Sequence, residues 1–449
     1  MVRQADAVQR RHEAMVEAAL CRGSQLIARW KDKPMKPLLR GLWLATVVST
    51  ANAQEPVVAP ELAVDVVHYW LSQSESAAVG VYRDAWIAAG NRWTDLPVQN
   101  EAALKKVVSK RIANGYPPTV TQWNLDARAT ELPDFGVVQD IEALALRDGW
   151  RDLLPAFVID LVSYRDRVYF APSNIHLENW LWTSQKIFDE LGLAPPETWE
   201  EILAAAERIE AAGYPAIVIG SAPWEVALIF HNIMYFALGA EGYAAVFRGD
   251  MEAVPGSQML EALDLLRRVS RFVEPLSARA GRTWADATRM IGRGEAGMQL
   301  MGDWAKGELA SLGYTADRDF GCAFTPGTSV SHFMAIDGFA FPLTTRDGAV
   351  HAQHNFASMV LEPENQLAFS RRKGSLPVRT DIDPAELDRC GQLGLQRIRD
   401  ESHHGGVQSR ALPSHVMAAW IDTLAEFFND DAISSRVAQQ RLTEIVTQG

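Results

Sequence analysis

Cysteine is scarce in this chain, positive charge is in deficit, and long hydrophobic runs are missing. Three cysteines stand among 449 residues. There is no CxxC or HExxH cluster of metal-ligating spacing, no GxSxG, and no GxGxxG following a strand, so the common metal, nucleophile and dinucleotide signatures are all absent. Lys and Arg number 43 against 56 Asp and Glu, a net charge of −13. Such a surface repels nucleic acid and anionic lipid. No run of eighteen or more apolar residues occurs, which excludes an ordinary spanning helix. What is present is a length too great for one core, with 48% hydrophobic and 22% charged residues. Two lobes of a globular protein are the expectation.

The first fifty residues differ from the rest. Residues 1–34 are rich in Arg and Lys. Met35-Lys-Pro-Leu-Leu-Arg40 then leads into the short apolar stretch Gly41–Val48 and an Ala51-Asn-Ala53 site. A charged segment, a short apolar segment and small residues in A-x-A order form a secretory signal, cleaved near Ala53. Residues 35–53 are read as that signal and 1–34 as an upstream extension of the gene. Residues 1–53 carry nine Lys/Arg and four Asp/Glu, so 34 basic and 52 acidic residues and a net charge of −18 remain after cleavage. Cys21 leaves with the extension. Cys322 and Cys390 remain, to form one disulfide in an oxidising compartment or to stay as two buried thiols.

The stretch Ala296–Glu308 organises the remainder. Met298–Met301 is a short apolar run fit for a buried strand, Gly302 breaks it, and Asp303 stands at the N-cap position of a helix starting at Trp304. A strand turning into a helix presents its loop at the carboxyl edge of a sheet, where open α/β folds take ligands. A carboxylate beside an indole there suits a sugar, whose hydroxyls need acceptors and whose C–H face needs a flat apolar surface. Asp303 as a simple helix cap is the competing reading.

Strand and helix patterns alternate before that point. Ala63–Trp70, Trp93–Val98 and Pro118–Asn124 read as strands, and Glu75–Ala89 and Glu101–Asn114 as helices. Ser163–Pro172 reads as a hairpin leading into a crossing strand. Thr198 with Glu201 forms a capping box for a helix to Ala211. Tyr214–Gly220 reads as a strand, residues 225–275 and 284–293 as helices, and Phe333–Phe341 as a strand crossing back. Several crossings without a linker describe a hinged pair of lobes.

The motifs His68-Tyr-Trp-Leu-Ser, Pro117-Pro-Thr119 with Gln122, Asn179-Trp-Leu-Trp182, Pro195-Pro-Glu-Thr-Trp-Glu-Glu201, Met298-Gln-Leu-Met-Gly-Asp-Trp-Ala-Lys-Gly-Glu308, Lys373-Gly-Ser-Leu-Pro-Val-Arg379 and Phe427-Phe-Asn-Asp-Asp431 follow one another in order. Together they resemble the extracellular solute-binding proteins of sugar ABC transporters, most closely the periplasmic glucose/mannose-binding branch. The resemblance implies an α/β, two-lobe periplasmic-binding-protein fold, each lobe a mainly parallel sheet flanked by helices, with the ligand in the cleft at the hinge. Residues 61–172 and 333–376 would form one lobe, and 173–332 and 377–449 the other. Cys322 and Cys390 fall where that branch places cysteines.

Carried over by the same resemblance, Trp70 would stack on a sugar ring beside Tyr69, Glu75 would accept hydroxyl hydrogen bonds, and Gln122 and Asn124 would line the third strand's end. Trp284 would be the opposite aromatic wall, Asp303 an acceptor, Lys373 a charged donor, Asp337 a residue near the hinge strand, and His415 a further contact. Asn124 stands where the branch has Lys, Tyr69 where it has Trp, and His415 directly after Pro413-Ser414, which reshapes one end of the pocket. The implied protein is a periplasmic monomer that delivers a monosaccharide to an ABC permease, uses no cofactor or metal, and neither binds nucleic acid nor inserts in a membrane. His176 reads as a structural histidine, and Trp180, Trp182 and Trp224 as core or cleft wall. Two rival functions keep some of these residues: a disaccharide or modified-sugar binder serving a chemoreceptor, and a glycosidase with Glu75 and Asp303 facing each other about 5–10 Å apart.

Overall fold

The computed structural model describes residues 61–250, 253–401 and 412–448. The expected signal at 35–53 and the extension at 1–34 lie outside them. Among the described residues no helix is long and apolar enough to cross a membrane.

The first sheet has five strands: β1 (Ala63–His68), β2 (Arg92–Pro97), β3 (Val120–Asn124), β6 (Phe170–Leu177) and β10 (Met334–Ala340), in the order β2-β1-β3-β10-β6. β1 pairs in parallel with β2 and β3, whereas β10 runs antiparallel to both β3 and β6. Helices Gln73–Ala88 and Glu101–Ala113 are the crossovers a parallel β1, β2, β3 order requires. Asn100 caps the second through Ala103 N (3.0 Å). Between β3 and β6, a two-stranded ribbon, β4 (Ser163–Tyr164) and β5 (Arg167–Val168), is the expected hairpin. It turns through Arg165 and Asp166, both at positive φ.

The second sheet is β7 (Trp180–Ser184) flanked by β8 (Met298–Met301) and β9 (Phe320–Phe324), both antiparallel to it. The first sheet is therefore mixed and the second antiparallel, and neither is mainly parallel. The strand expected at Tyr214–Gly220 is an extended segment bridged in parallel at Ile217 to Met298 and Val273. The period-2 alternation of β7 divides it between two cores. Trp180 and Trp182, stacked at 5.4 Å, face a core that runs through both lobes, while Leu181 faces the core of the second lobe's helices. The second core is closed by helices Trp199–Ala211, Pro223–Phe247, Ser257–Ser270, Ser414–Asn429 and Ser435–Gln448. The expected Thr198/Glu201 capping box is formed. Gly239, at φ 68°, breaks the long helix Pro223–Phe247.

β6 stays in the first sheet to Leu177 and β7 opens the second at Trp180, so the chain passes between the sheets over a very short connection. Helix Trp304–Ser311, which follows β8, packs on helices Gln73–Ala88 and Pro363–Lys373. Glycine permits that approach. A Cβ on Gly307 would lie 2.5 Å from the Lys373 carbonyl carbon, and one on Gly374, at φ +87°, 2.3 Å from the Asp303 carbonyl oxygen. Buried Glu308 accepts the Ser74 N–H (3.2 Å) at the start of helix Gln73–Ala88, where a carboxylate also complements the helix dipole.

Cys322 on β9 and Cys390 on helix Arg389–Glu401 are bonded, with Cα atoms 6.2 Å apart and a sequence separation of 68. A bridge across a loop of that length contributes roughly 2–4 kcal/mol by restricting the unfolded chain. Adding reductant, or replacing both cysteines by Ala, is expected to lower the urea midpoint by the same amount. A midpoint indifferent to reductant in the unsubstituted protein would refute the bridge.

Candidate functional site

The parallel strands β1 and β3 end on the same edge of the first sheet, and the residues just past and at those ends carry the polar groups. Tyr69 donates its backbone N–H to Gln122 Oε1 (2.9 Å) and its hydroxyl to Asn124 Oδ1 (2.8 Å). Burial, with Asp337 and Glu101 nearby, pushes the Tyr69 phenol well up, so it remains a donor. Asn124, Asp337 and Asn174 occupy one rung across β3, β10 and β6. Directly paired residues point to the same face, and so do residues two apart, which adds Gln122 and His176 to this row. All five except half-buried Asn124 are buried. Among the described residues Asn174 Nδ2 has no hydrogen-bond partner, and Gln122 Nε2 makes no well-formed hydrogen bond beyond its approach to Asp337. Buried amide donors without a partner are costly, and they suit a site that receives hydroxyl acceptors.

Asp303 reaches the same place from the second sheet. It occupies the N-cap position of helix Trp304–Ser311 but makes no side-chain cap bond. Instead one carboxylate oxygen pairs with His176 Nδ1 and the other accepts the Leu177 N–H (2.9 Å). His176 Nε2 lies 3.3 Å from Asp337 Oδ2. Burial works to lower the His176 pKa, but Asp303 and Asp337 outweigh it, so the value is raised above 6.5. Burial works to raise Asp337, but His176, Lys373 and Gln122 outweigh it and hold its carboxyl below the usual range.

Glu75 and Lys373 are given to each other, Nζ to Oε1 at 2.9 Å. The second Glu75 oxygen accepts the N–H groups of Leu71 (3.2 Å) and Ser72 (3.1 Å), which makes Glu75 the closing residue of a capping box with Ser72. The Lys373 ammonium also lies 5.9 Å from the Trp70 ring centre. Trp70 is only 1% exposed and packs against Phe339 (5.7 Å, edge-on) and Phe369 (5.3 Å). It belongs to the first lobe's aromatic core with its Lys373 side turned toward the polar group.

The second lobe supplies half-buried indoles. Trp304 meets His176 edge-on at 5.1 Å and Trp224 at 6.1 Å. Trp284 is half-buried at the start of helix Trp284–Arg293 and packs against the same core. His415 stands exposed on the first turn of helix Ser414–Asn429, and no hydrogen bond or ring contact of the described residues joins it to the group. Thus Tyr69, Gln122, Asn124, Asp337 and Asp303 form one connected set, Trp70, Glu75 and Lys373 a second beside it, and Trp284 and His415 stand outside both.

Sequence reasoning passed over Asn174 and assigned His176 a structural place. The signal was there: Asn174, His176 and Glu178 alternate with Ile175 and Leu177 in the period of a strand. Trp304 was visible beside Asp303, but its place against His176 was not.

Glu75 and Asp303 belong to separate groups, Glu75 with Lys373 and the Leu71 and Ser72 N–H groups and Asp303 with His176 and the Leu177 N–H, which lends no support to a glycosidase pair. Comparison with known proteins agrees. Residues 84–366 match the bacterial extracellular solute-binding protein family. The chain belongs to that family. Its members bind solutes and are not enzymes. It is 32% identical, over 85% of its length and 92% of the relative's, to a probable sugar-binding periplasmic protein of Rhizobium meliloti. A similarly named protein of Brucella suis is 31% identical over 88% of this chain and 94% of its own. Among solved structures, a chitin oligosaccharide binding protein superposes with a TM-score of 0.72 at 14% identity, covering 86% of this chain and 98% of that one. The bacterial solute receptor AcbH, described as preferring β-D-galactopyranose exclusively, gives 0.71 at 15% identity, covering 87% and 99%. These structural likenesses establish the two-lobe α/β fold.

Proposed function

We propose that this protein is an exported receptor that binds a monosaccharide of the glucose/mannose type between its lobes and delivers it to the permease of an ABC importer. The observation that carries the reading is the row Gln122, Asn124, Asp337, Asn174 and His176 on one sheet edge, met from the other lobe by Asp303 and Trp304. Carboxylates accept sugar hydroxyls, amides donate and accept, and indoles cover the C–H face. Hydrogen bonds to charged groups contribute about 1.5–3 kcal/mol each where water is excluded. The names of the relatives support sugar as the solute class. Export fits the signal expected at 35–53 and the Cys322–Cys390 bridge. A ligand that touches both lobes stabilises the closed arrangement by its differential contacts, which is what a permease can recognise.

A thermal-shift screen against mono- and disaccharides tests this. D-glucose or D-mannose is expected to raise the melting temperature, and Lys373→Met is expected to weaken the binding at least tenfold by removing the cation that pairs with Glu75. A screen in which only disaccharides stabilise the protein would exclude the monosaccharide reading, and one in which no sugar does would exclude the whole proposal.

A further inference from the structure

We propose that His176 is the positioning residue of the cleft: as an imidazolium it holds Asp303 of the second lobe and Asp337 of the first in the orientation a sugar meets, so that sugar affinity depends on its proton. The inference rests on the sugar-binding reading above and adds its regulation by pH.

The geometry is a bridge. His176 lies on β6, the strand from which the chain leaves the first sheet, and its two ring nitrogens address two carboxylates on two other segments. The Nδ1 contact to Asp303 is a hydrogen bond, whereas Nε2 approaches Asp337 at 3.3 Å as an ion pair without hydrogen-bond alignment, so it is the positive charge of the imidazolium that Asp337 meets. Asp303 is fixed to the same strand a second time through Leu177 N–H, so a movement of His176 carries Asp303 with it. The edge-on Trp304 ring covers His176 and limits its alternatives. The charged groups facing it are Asp303 after β8 and Asp337 on β10, which favour the cation, and Lys373 at the end of helix Pro363–Lys373, paired with Glu75, whose charge opposes it. Glu178 follows two residues along the chain and is also buried.

Two buried carboxylates sharing one cation repel each other once that cation is lost. The His176 value is raised above its ordinary 6.5, so the bridge is complete below 6.5 and is lost as pH rises through the raised value. Above it Asp303 and Asp337 no longer share a partner, and the acceptors for the sugar lose their fixed place.

The test is calorimetric titration of the full chain with D-glucose and D-mannose from pH 6 to pH 9. The expected result is a dissociation constant flat at the acid end that then rises, approaching tenfold per pH unit, with proton uptake on binding in that range. His176→Gln keeps an amide donor without a titrating charge and is expected to bind more weakly with no such rise. Glu225, whose carboxyl burial pushes up to about 7, titrates in the same window, so Glu225→Gln is measured in parallel and is expected to retain the rise. Binding that stays flat to pH 9 in the unsubstituted protein, or a rise that survives in His176→Gln, overturns the inference and leaves the sugar reading standing. Absence of binding by both sugars at pH 6 removes the reading and the inference together. If His176→Gln does not fold, the unsubstituted protein's profile and proton uptake, with Glu225→Gln, still decide.

Discussion

Replacing Asp303 by Ala is expected to destabilise the protein by about 3–5 kcal/mol and to weaken sugar binding at least tenfold. The stability loss follows from what the carboxylate holds. It is buried, it pairs with His176, and it accepts the Leu177 N–H. Removing Asp303 breaks one of the two buried ion pairs of His176 and leaves only the Asp337 contact, at a cost of about that size, and the orphaned N–H adds to it. The binding loss, at least about 1.4 kcal/mol, follows because an ionised carboxylate has about four acceptor sites, of which two are taken here. Asp303→Asn separates the two roles: it keeps an acceptor for Leu177 and gives up the charge, so it should recover part of the stability and little of the affinity. Urea unfolding and calorimetry read the two quantities independently. An Asp303→Ala protein with an unchanged urea midpoint would show that the His176 bridge contributes nothing to the fold.

Trp70→Ala is expected to cost about 3–5 kcal/mol of stability, the range for deleting a large aromatic from a packed core. The resemblance implies that Trp70 stacks on a sugar ring, and its 1% exposure and its contacts with Phe339 and Phe369 show that it also carries the fold. Trp70→Phe keeps most of the core contact while shortening the side next to Lys373, so it should fold nearly as well. If Trp70→Phe still weakens sugar binding tenfold, the ring meets the ligand as well as the core. If it binds normally, Trp70 acts only through the core and through Lys373. A thermal melt of Trp70→Ala close to the unsubstituted protein would contradict the packing itself.

Much of the first lobe was readable because local rules and tertiary structure agree there. β1, β2 and β3 are short β-rich segments separated by capped helices, and the order strand–helix–strand leaves few topologies. The Thr198/Glu201 box was legible because two residues three positions apart determine it. The Tyr214–Gly220 segment was over-read as a full strand, since periodicity marks an apolar extended stretch without counting its neighbours. The parallel bias expected of the second sheet had no local signal behind it. Strand direction depends on how the chain returns, and β7 (Trp180–Ser184) pairs with β8 and β9, both far along the chain from it.

By itself, the sequence determined the residue types that could hold a sugar, the strand and helix spacing that brings Tyr69, Gln122 and Asn124 to one sheet edge, and the cysteines that could be joined. These are properties of composition and of short-range geometry. Only the tertiary structure decided which charges face which. It joined Glu75 to Lys373, 298 positions away, turned Asp303 from a helix cap into the partner of His176, and placed Trp70 in the core. The reason is physical. A buried charge takes the partner that folding brings within hydrogen-bond reach, and that proximity is set by the packing of the whole chain.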